Sequence, residues 1–315
     1  MRTFMISTVF CSAAFAQVGG PFLGYVPEGT GIRPMYGLPG AGAIGSTIDT
    51  GRSFARMSVS PRQNFAIAVA ADTGGLLVVK PGVSIASVGG AEANPDILAI
   101  SPEGSAAAAW FPLSNRLEIV SGLPDAPSIR IIDASFLNAS PLAIAVSDDG
   151  QWSAGLWSAG VYAFGPDNAV IPLQTDQGVL AVAFFHNRHD LALAGANRAT
   201  SITDLGGSLR TSVLYDYSAQ GLTPRAVGLS FDNQIAVVAD RAGALVAIPV
   251  SGAGASTYDC GCFPEGLYGL GGALFRLNGT GAGRERSRAE LKLFDGATGR
   301  VLIVPPALSL AGGRP

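Results

Sequence analysis

Histidine, cysteine and charge are all scarce in this chain: its 315 residues include two His, three Cys and 14% charged side chains. So few imidazoles and thiols leave little from which to build a metal centre or a redox framework. Charge of neither sign dominates, since 20 basic residues face 23 acidic ones for a formal net charge of −3. Losing Arg2 with an N-terminal leader would make it −4. Nothing here steers the protein to a polyanion, so nucleic acid is not an expected partner. Beyond the N-terminus no apolar run long enough to cross a bilayer escapes Pro, Gly or charge, so no transmembrane anchor is expected after the leader is removed. A GxSxG elbow, a P-loop and a dinucleotide fingerprint on a strand–helix unit are all missing, and no catalytic residue, metal or cofactor is expected. Helical periodicity is missing too, because apolar runs are only four to seven residues long before a Gly or a turn interrupts them.

What the chain has in quantity is glycine, proline and small apolar residues: 42 Gly, 20 Pro and 48% hydrophobic residues. That combination describes many short buried strands joined by tight turns. At the N-terminus, Arg2 precedes the apolar segment Phe4 to Cys11, and Ala14-Phe15-Ala16 sets small residues at −3 and −1 before Gln17. This is the pattern of a signal peptide over residues 1–16, with 17–315 as one secreted or periplasmic domain. Bulky Phe10 argues against Cys11 as a lipid-acylated residue. Only Cys260 and Cys262 then remain, and a local disulfide or two free thiols are favoured over a metal or redox role.

A repeat organises the rest. Phe54 to Val59, a Ser60-Pro61-Arg62-Gln63-Asn64 turn and Phe65 to Ala70 form one unit. The shape returns as ILAISPEG–SAAAAWF from Ile97, as LAIAVSDDG–QWSAGLW from Leu142 and as LAVAFFHNRHD–LALAGA from Leu180. It returns once more as RAVGLSFDN–QIAVVAD from Arg225, and a degenerate copy starts at Leu267. The markers Ser60, Ser101, Ser147 and Ser230 lie 41, 46 and 83 residues apart, the last spanning two steps. Such a period fits one four-stranded propeller blade. Third strands are expected at Leu76–Val79, Leu117–Val120, Val161–Phe164, Ser201–Asp204 and Leu245–Ile248, with more polar outer strands beyond them.

One such sheet has two apolar faces and cannot bury both without neighbours, whereas a closed ring gives every sheet two. The expectation is therefore an all-β β-propeller of four-stranded blades. Six copies run from Phe54 to Val304. Two earlier stretches, Phe22–Val26 and Ile32–Gly37, look like the third and fourth strands of another blade shared with the C-terminus. Seven blades are favoured over six.

The VSPRQN, ISPEG and VSDDG turns, with their flanking strands, resemble bacterial exported YVTN-type and WD40-like β-propeller repeats over roughly Phe54 to Val304. The chain lacks a literal YVTN signature and the regular His and Trp-Asp marks of WD40 blades. The resemblance implies a binding or structural module more often than an enzyme, and it carries over no catalytic residue.

His186 and His189 occupy the slot filled elsewhere by Ser-Pro and Ser-Asp turns, and so read as solvated turn residues. The loops after the second strands carry Asp72, Arg116, Arg198, Asp240 and Arg241 at comparable points of their copies. Blade geometry would gather them on one rim, where carboxylates and guanidinium groups suit a protein, peptide or glycan. Inter-blade loops add Glu92, Asp96 and Asp176. Trp110, Trp152 and Trp157 are expected between blades, and Tyr215 and Tyr217 on one face of an outer strand. The Gly-rich loop Asn278 to Gly283, with the Arg-rich stretch after it, reads as a long insertion. The function expected is non-catalytic binding through a loop face. The alternatives are a hydrolase or lyase with Asp72 and Asp240 opposed near the axis, and an envelope scaffold.

Overall fold

The computed structural model describes residues 20–173, 178–252, 254–277 and 290–305. The leader with Cys11, Asp176, and the loop from Asn278 through the Arg-rich stretch lie outside these residues. Seven antiparallel sheets follow one another along the chain. Blade 1 has three strands among the described residues: β1 (Phe22–Glu28), β2 (Gly31–Leu38) and β3 (Ala41–Ile44). Blade 2 holds β4 (Phe54–Val59), β5 (Ala66–Ala70), β6 (Leu76–Lys80) and β7 (Ser84–Ser87). Blade 3 holds β8 (Ile97–Ile100), β9 (Ala106–Phe111), β10 (Arg116–Ser121) and β11 (Ser128–Asp133). Blade 4 holds β12 (Ala143–Val146), β13 (Ser153–Trp157), β14 (Gly160–Phe164) and β15 (Val170–Leu173). Blade 5 holds β16 (Val179–Phe184), β17 (Leu191–Gly195), β18 (Arg198–Thr203) and β19 (Arg210–Asp216). Blade 6 holds β20 (Pro224–Leu229), β21 (Ile235–Asp240), β22 (Ala244–Pro249) and β23 (Ser256–Asp259). Blade 7 holds β24 (Tyr268–Gly269), β25 (Leu274–Arg276), β26 (Leu291–Asp295) and β27 (Arg300–Val304).

The second strands explain why the sheets form a ring. Along β9 the side chains alternate by residue, as a pleated strand requires. Ala107, Ala109 and Phe111 pack towards blade 2, while Ala106, Ala108 and Trp110 pack towards blade 4. In β17, Leu191 and Leu193 meet blade 4 whereas Ala192 and Ala194 meet blade 6. In β21, Ala236 and Val238 face blade 5 while Val237 and Ala239 face blade 7. Each buried Val or Leu contributes roughly 1.5–3 kcal/mol, available only when both neighbours are present. First strands are more open, because one edge faces the axis.

Among the described residues the ring closes by packing, with no strand shared between the first and last sheets. Val26, Met35 and Ile44 of blade 1 form one cluster with Leu291, Leu293 and Val304 of blade 7. The N-terminal stretches were expected to form another, seventh blade shared with the C-terminus, and they do supply a seventh blade. Among the described residues β1 pairs with β2, and β2 with β3, and no C-terminal strand joins them.

Candidate functional site

The first strands of blades 2 to 7 surround a central cavity of about 240 Å³. Its wall is apolar, from Val59, Leu98, Ile144, Val182, Val227 and Leu267 among others. At one end it is framed by Pro61, Pro102, His186 and Phe231, all from the turns between first and second strands. These turns are built alike. Ser60, Ser101, Ser147 and Ser230 are buried, and each backbone N–H donates to the carbonyl five residues on, at 2.8–2.9 Å. The Ser101, Ser147 and Ser230 hydroxyls accept the amides of Ala106, Trp152 and Ile235 at 2.9–3.0 Å. The third residue after the serine has positive φ: Gln63 58°, Gly104 77°, Gly150 68° and Asn233 60°. Gly and Asn recur at that position because a left-handed backbone penalises most side chains.

The two central residues of each turn reach into the next blades. Arg62 donates to Glu103 Oε2 from both Nε (3.1 Å) and Nη2 (2.6 Å). Glu103 N donates to Asp148 Oδ1 at 2.6 Å, and Asn187 N to Asp148 Oδ2 at 2.7 Å. Glu103 Oε1 lies 3.2 Å from His186 Nδ1 and accepts Asn187 Nδ2 at 3.3 Å. His186 N donates to Asn233 Oδ1, whose amide returns a bond to His186 O. Phe231 then packs its ring 4.8 Å from the His186 ring. A polar belt thus joins blades 2 to 6 around the cavity mouth.

His186 corrects the sequence expectation. It is not a solvated turn residue but only 7% exposed, beside Glu103 at 4% and Asp148 at 9%. The turn itself is where the repeat places it; burial comes from the adjoining turns, which a single repeat unit does not display. His189 does stay at the surface, 2.8 Å from Asp149 Oδ2. Burial works against the Asp149 carboxylate, but bonds from the Ser147 hydroxyl, Gln151 N and His189 outweigh it and hold its pKa below the ordinary value. Asp232 is likewise held low, by the Ser230 hydroxyl first and Gln234 N next, with His186 contributing through space.

The residues after the second strands are distributed differently. Asp72, Arg116 and Arg241 are exposed, and Arg198 is half-buried. Asp240 is buried with both oxygens in use, accepting Thr223 N and, at 2.8 Å, Ala242 N. Arg116 bears electrostatically on Asp133 and Arg198 on Asp216, each within its own blade. None of the five lines the central cavity. Among the other expectations, Trp110 and Trp157 do fill the blade 3–4 interface and Trp152 the next one. Tyr217 departs from expectation: it lies past the end of β19, is buried, and donates its hydroxyl to Gly195 O at 2.7 Å. Its pKa is raised by that burial. Cys260 and Cys262 form a disulfide, with Cα atoms 5.2 Å apart.

The sequence pointed to the rim of charged loops, and what it missed was the opposite mouth. A signal was present: polar or aromatic residues at the turn centre, Arg62, Glu103, Asp148, His186 and Phe231, stand in successive copies of an otherwise apolar repeat. Fold and cavity together define a seven-bladed β-propeller with an apolar central channel and a polar belt at one mouth. No protein-family model matches the chain, and no curated protein matches it in sequence. Among solved structures it is similar to a functionally unknown protein from Desulfotomaculum acetoxidans DSM 771, at 14% identity and TM-score 0.57. That match covers 91% of this chain and 100% of the other. A chain of the nidogen/laminin complex matches at 12% identity and TM-score 0.48, over 75% of this chain and 92% of that one. Only the first bears on the fold, and neither bears on function.

Proposed function

We propose that this chain is an exported, non-catalytic binding propeller that receives an apolar segment of a peptide or protein partner at the channel mouth framed by His186 and Phe231. The observation that carries the reading is the apolar cavity of about 240 Å³ opening between polar turns. That space is small for a drug-sized ligand and suits one or two side chains. The side chains along the wall are mostly Val, Leu, Ile and Ala, which suits an apolar side chain better than a glycan. Exposed Phe22 and Phe231 supply apolar area around the mouth for the flanks of a bound segment. The leader-like N-terminus and the likeness of the turns to exported YVTN-type and WD40-like repeats support export and a binding role. Asp72, Arg116, Arg198, Asp240 and Arg241 have no part in this mouth.

The test is selection from a random phage-displayed peptide library on the folded chain, followed by rebinding to Ala99→Trp, which puts a bulkier side chain at the channel wall on β8. The reading expects enriched peptides with a large apolar residue whose binding falls at least about tenfold in the variant. Enriched peptides that bind Ala99→Trp equally well, with its fold confirmed by circular dichroism, would overturn it. So would the absence of any enrichment.

A further inference from the structure

Among the described residues one group of three side chains brings together the donors of a metal site. Glu103, Asp148 and His186 come from three successive blades, and each offers a ligand atom no more than 4.8 Å from the other two. We propose that these three residues form a divalent-cation site of the Zn2+ type in the wall of the channel mouth.

The donor set is one imidazole nitrogen and two carboxylates, the mixture that suits borderline first-row cations better than Ca2+ or Mg2+. Spacing agrees with it. Ligand atoms at 2.0–2.1 Å from a tetrahedral Zn2+ stand roughly 3.3 Å apart. His186 Nδ1 and Glu103 Oε1 are already 3.2 Å apart. Neighbouring donors hold the two carboxylates in place, as outer-shell partners do in metal sites. Arg62 holds Glu103 Oε2, Asn187 Nδ2 holds Oε1, and two backbone amides hold the Asp148 carboxylate. Carboxylate oxygens accept more than one bond, so these contacts leave room for a cation.

Charge makes the same case independently of geometry. Two carboxylates more than nine-tenths buried are faced by one permanent cation, the exposed Arg62 guanidinium, and by His186, which is charged only when protonated. Asp232 adds negative potential at His186 from blade 6. Burying unbalanced charge costs several kcal/mol per ion, and a divalent cation between the two carboxylates removes that imbalance. The site does not depend on the peptide reading. A metal bound without peptide affinity would leave this inference intact, and the reverse holds as well.

Calorimetric titration of the folded chain with ZnCl2 should show one saturable equivalent. His186→Gln and Glu103→Gln should weaken it by more than the roughly tenfold to hundredfold that an outer-shell loss costs. His189→Gln should leave it unchanged, since His189 is the other of only two histidines and stands outside the cluster. NMR on the unsubstituted chain removes any dependence on whether variants fold. With diamagnetic Zn2+ as probe, the His186 ring signals should shift far more than those of His189. Absence of saturable Zn2+ binding, or binding that follows His189 instead, would overturn the proposal.

Discussion

Gln63 Nε2 donates to Gly269 O at 3.2 Å, linking blade 2 to blade 7 across 206 residues. The same side chain accepts Tyr25 N through Oε1 at 2.8 Å, so one glutamine ties blades 1, 2 and 7 where the ring closes. It does so from a left-handed backbone with φ of 58°, a conformation that costs a non-glycine residue about 1 kcal/mol. Gln63→Gly relieves that cost but leaves Tyr25 N and Gly269 O without their partner. Each unsatisfied group costs about 1–3 kcal/mol, so the variant is expected to be less stable despite its easier backbone. Thermal unfolding should show a lower midpoint, and hydrogen exchange should show faster loss of the Tyr25 amide. A midpoint at or above that of the unsubstituted chain would mean that closure rests on apolar packing alone.

Trp110 and Trp157 meet edge to face at 6.0 Å between blades 3 and 4, and their indole N–H groups differ. Trp157 Nε1 donates to Ala139 O at 2.9 Å, whereas Trp110 Nε1 is buried with no hydrogen-bond partner. Phenylalanine preserves most of the ring volume at either position. Trp157→Phe should therefore destabilise by about 1–3 kcal/mol more than Trp110→Phe, because it alone orphans a carbonyl. Either alanine variant should cost about 3–5 kcal/mol through the cavity it leaves. Urea unfolding of the four variants measures the difference, and equal costs for the two phenylalanine variants would remove the hydrogen bond from the account.

The contrast between these tryptophans marks what sequence can convey. Their place between blades was legible, since they fall on second strands whose apolar runs admit no solvent face. The partner of Nε1 was not, because Ala139 O belongs to a loop whose path the repeat does not constrain. The same divide separates the turns from the belt. Ser60, Ser101, Ser147 and Ser230 announced themselves because their bonds are local, five residues apart at most. His186 and Glu103 meet across 83 residues, a distance set by the rotation between blades and not by any local spacing. The N-terminal stretches were legible as a further blade, but their pairing partners were not, as a strand's sequence does not say which sheet edge it joins.

Asp240 and Arg241 are sequence neighbours on the charged rim with opposite expected roles. Asp240 is buried and satisfies the amides of Thr223 and Ala242, while Arg241 is exposed. Asp240→Ala should therefore destabilise by about 1–3 kcal/mol through two orphaned amides. Arg241→Ala should stay within about 0.5 kcal/mol of the unsubstituted chain. Chemical denaturation of both variants checks the pair. Asp240→Ala with unchanged stability would free that carboxylate for a role in binding, whereas a loss assigns it to the turn.

Glu118 supplies a pH test whose sign is opposite to that of most carboxylates. It is buried on β10, both its oxygens accept Glu92 N at 3.2–3.3 Å, and burial raises its pKa, with the Glu92 charge adding to the rise. The bond from Glu92 N and the nearby Arg116 pull the other way without cancelling it. A carboxyl whose folded pKa exceeds its unfolded value holds its proton more tightly in the native state. Its favourable contribution is complete below the unfolded pKa and is lost as pH rises through the folded one. At neutral pH the ionised side chain is thus a net cost. Glu118→Gln keeps an oxygen for Glu92 N and carries no charge, so it should raise the melting midpoint at pH 7. That advantage should shrink as the pH falls through the carboxylate range and vanish once both states of the unsubstituted chain are protonated. A variant less stable at neutral pH, or a difference independent of pH, would show that the carboxylate is stabilised by its surroundings despite its burial.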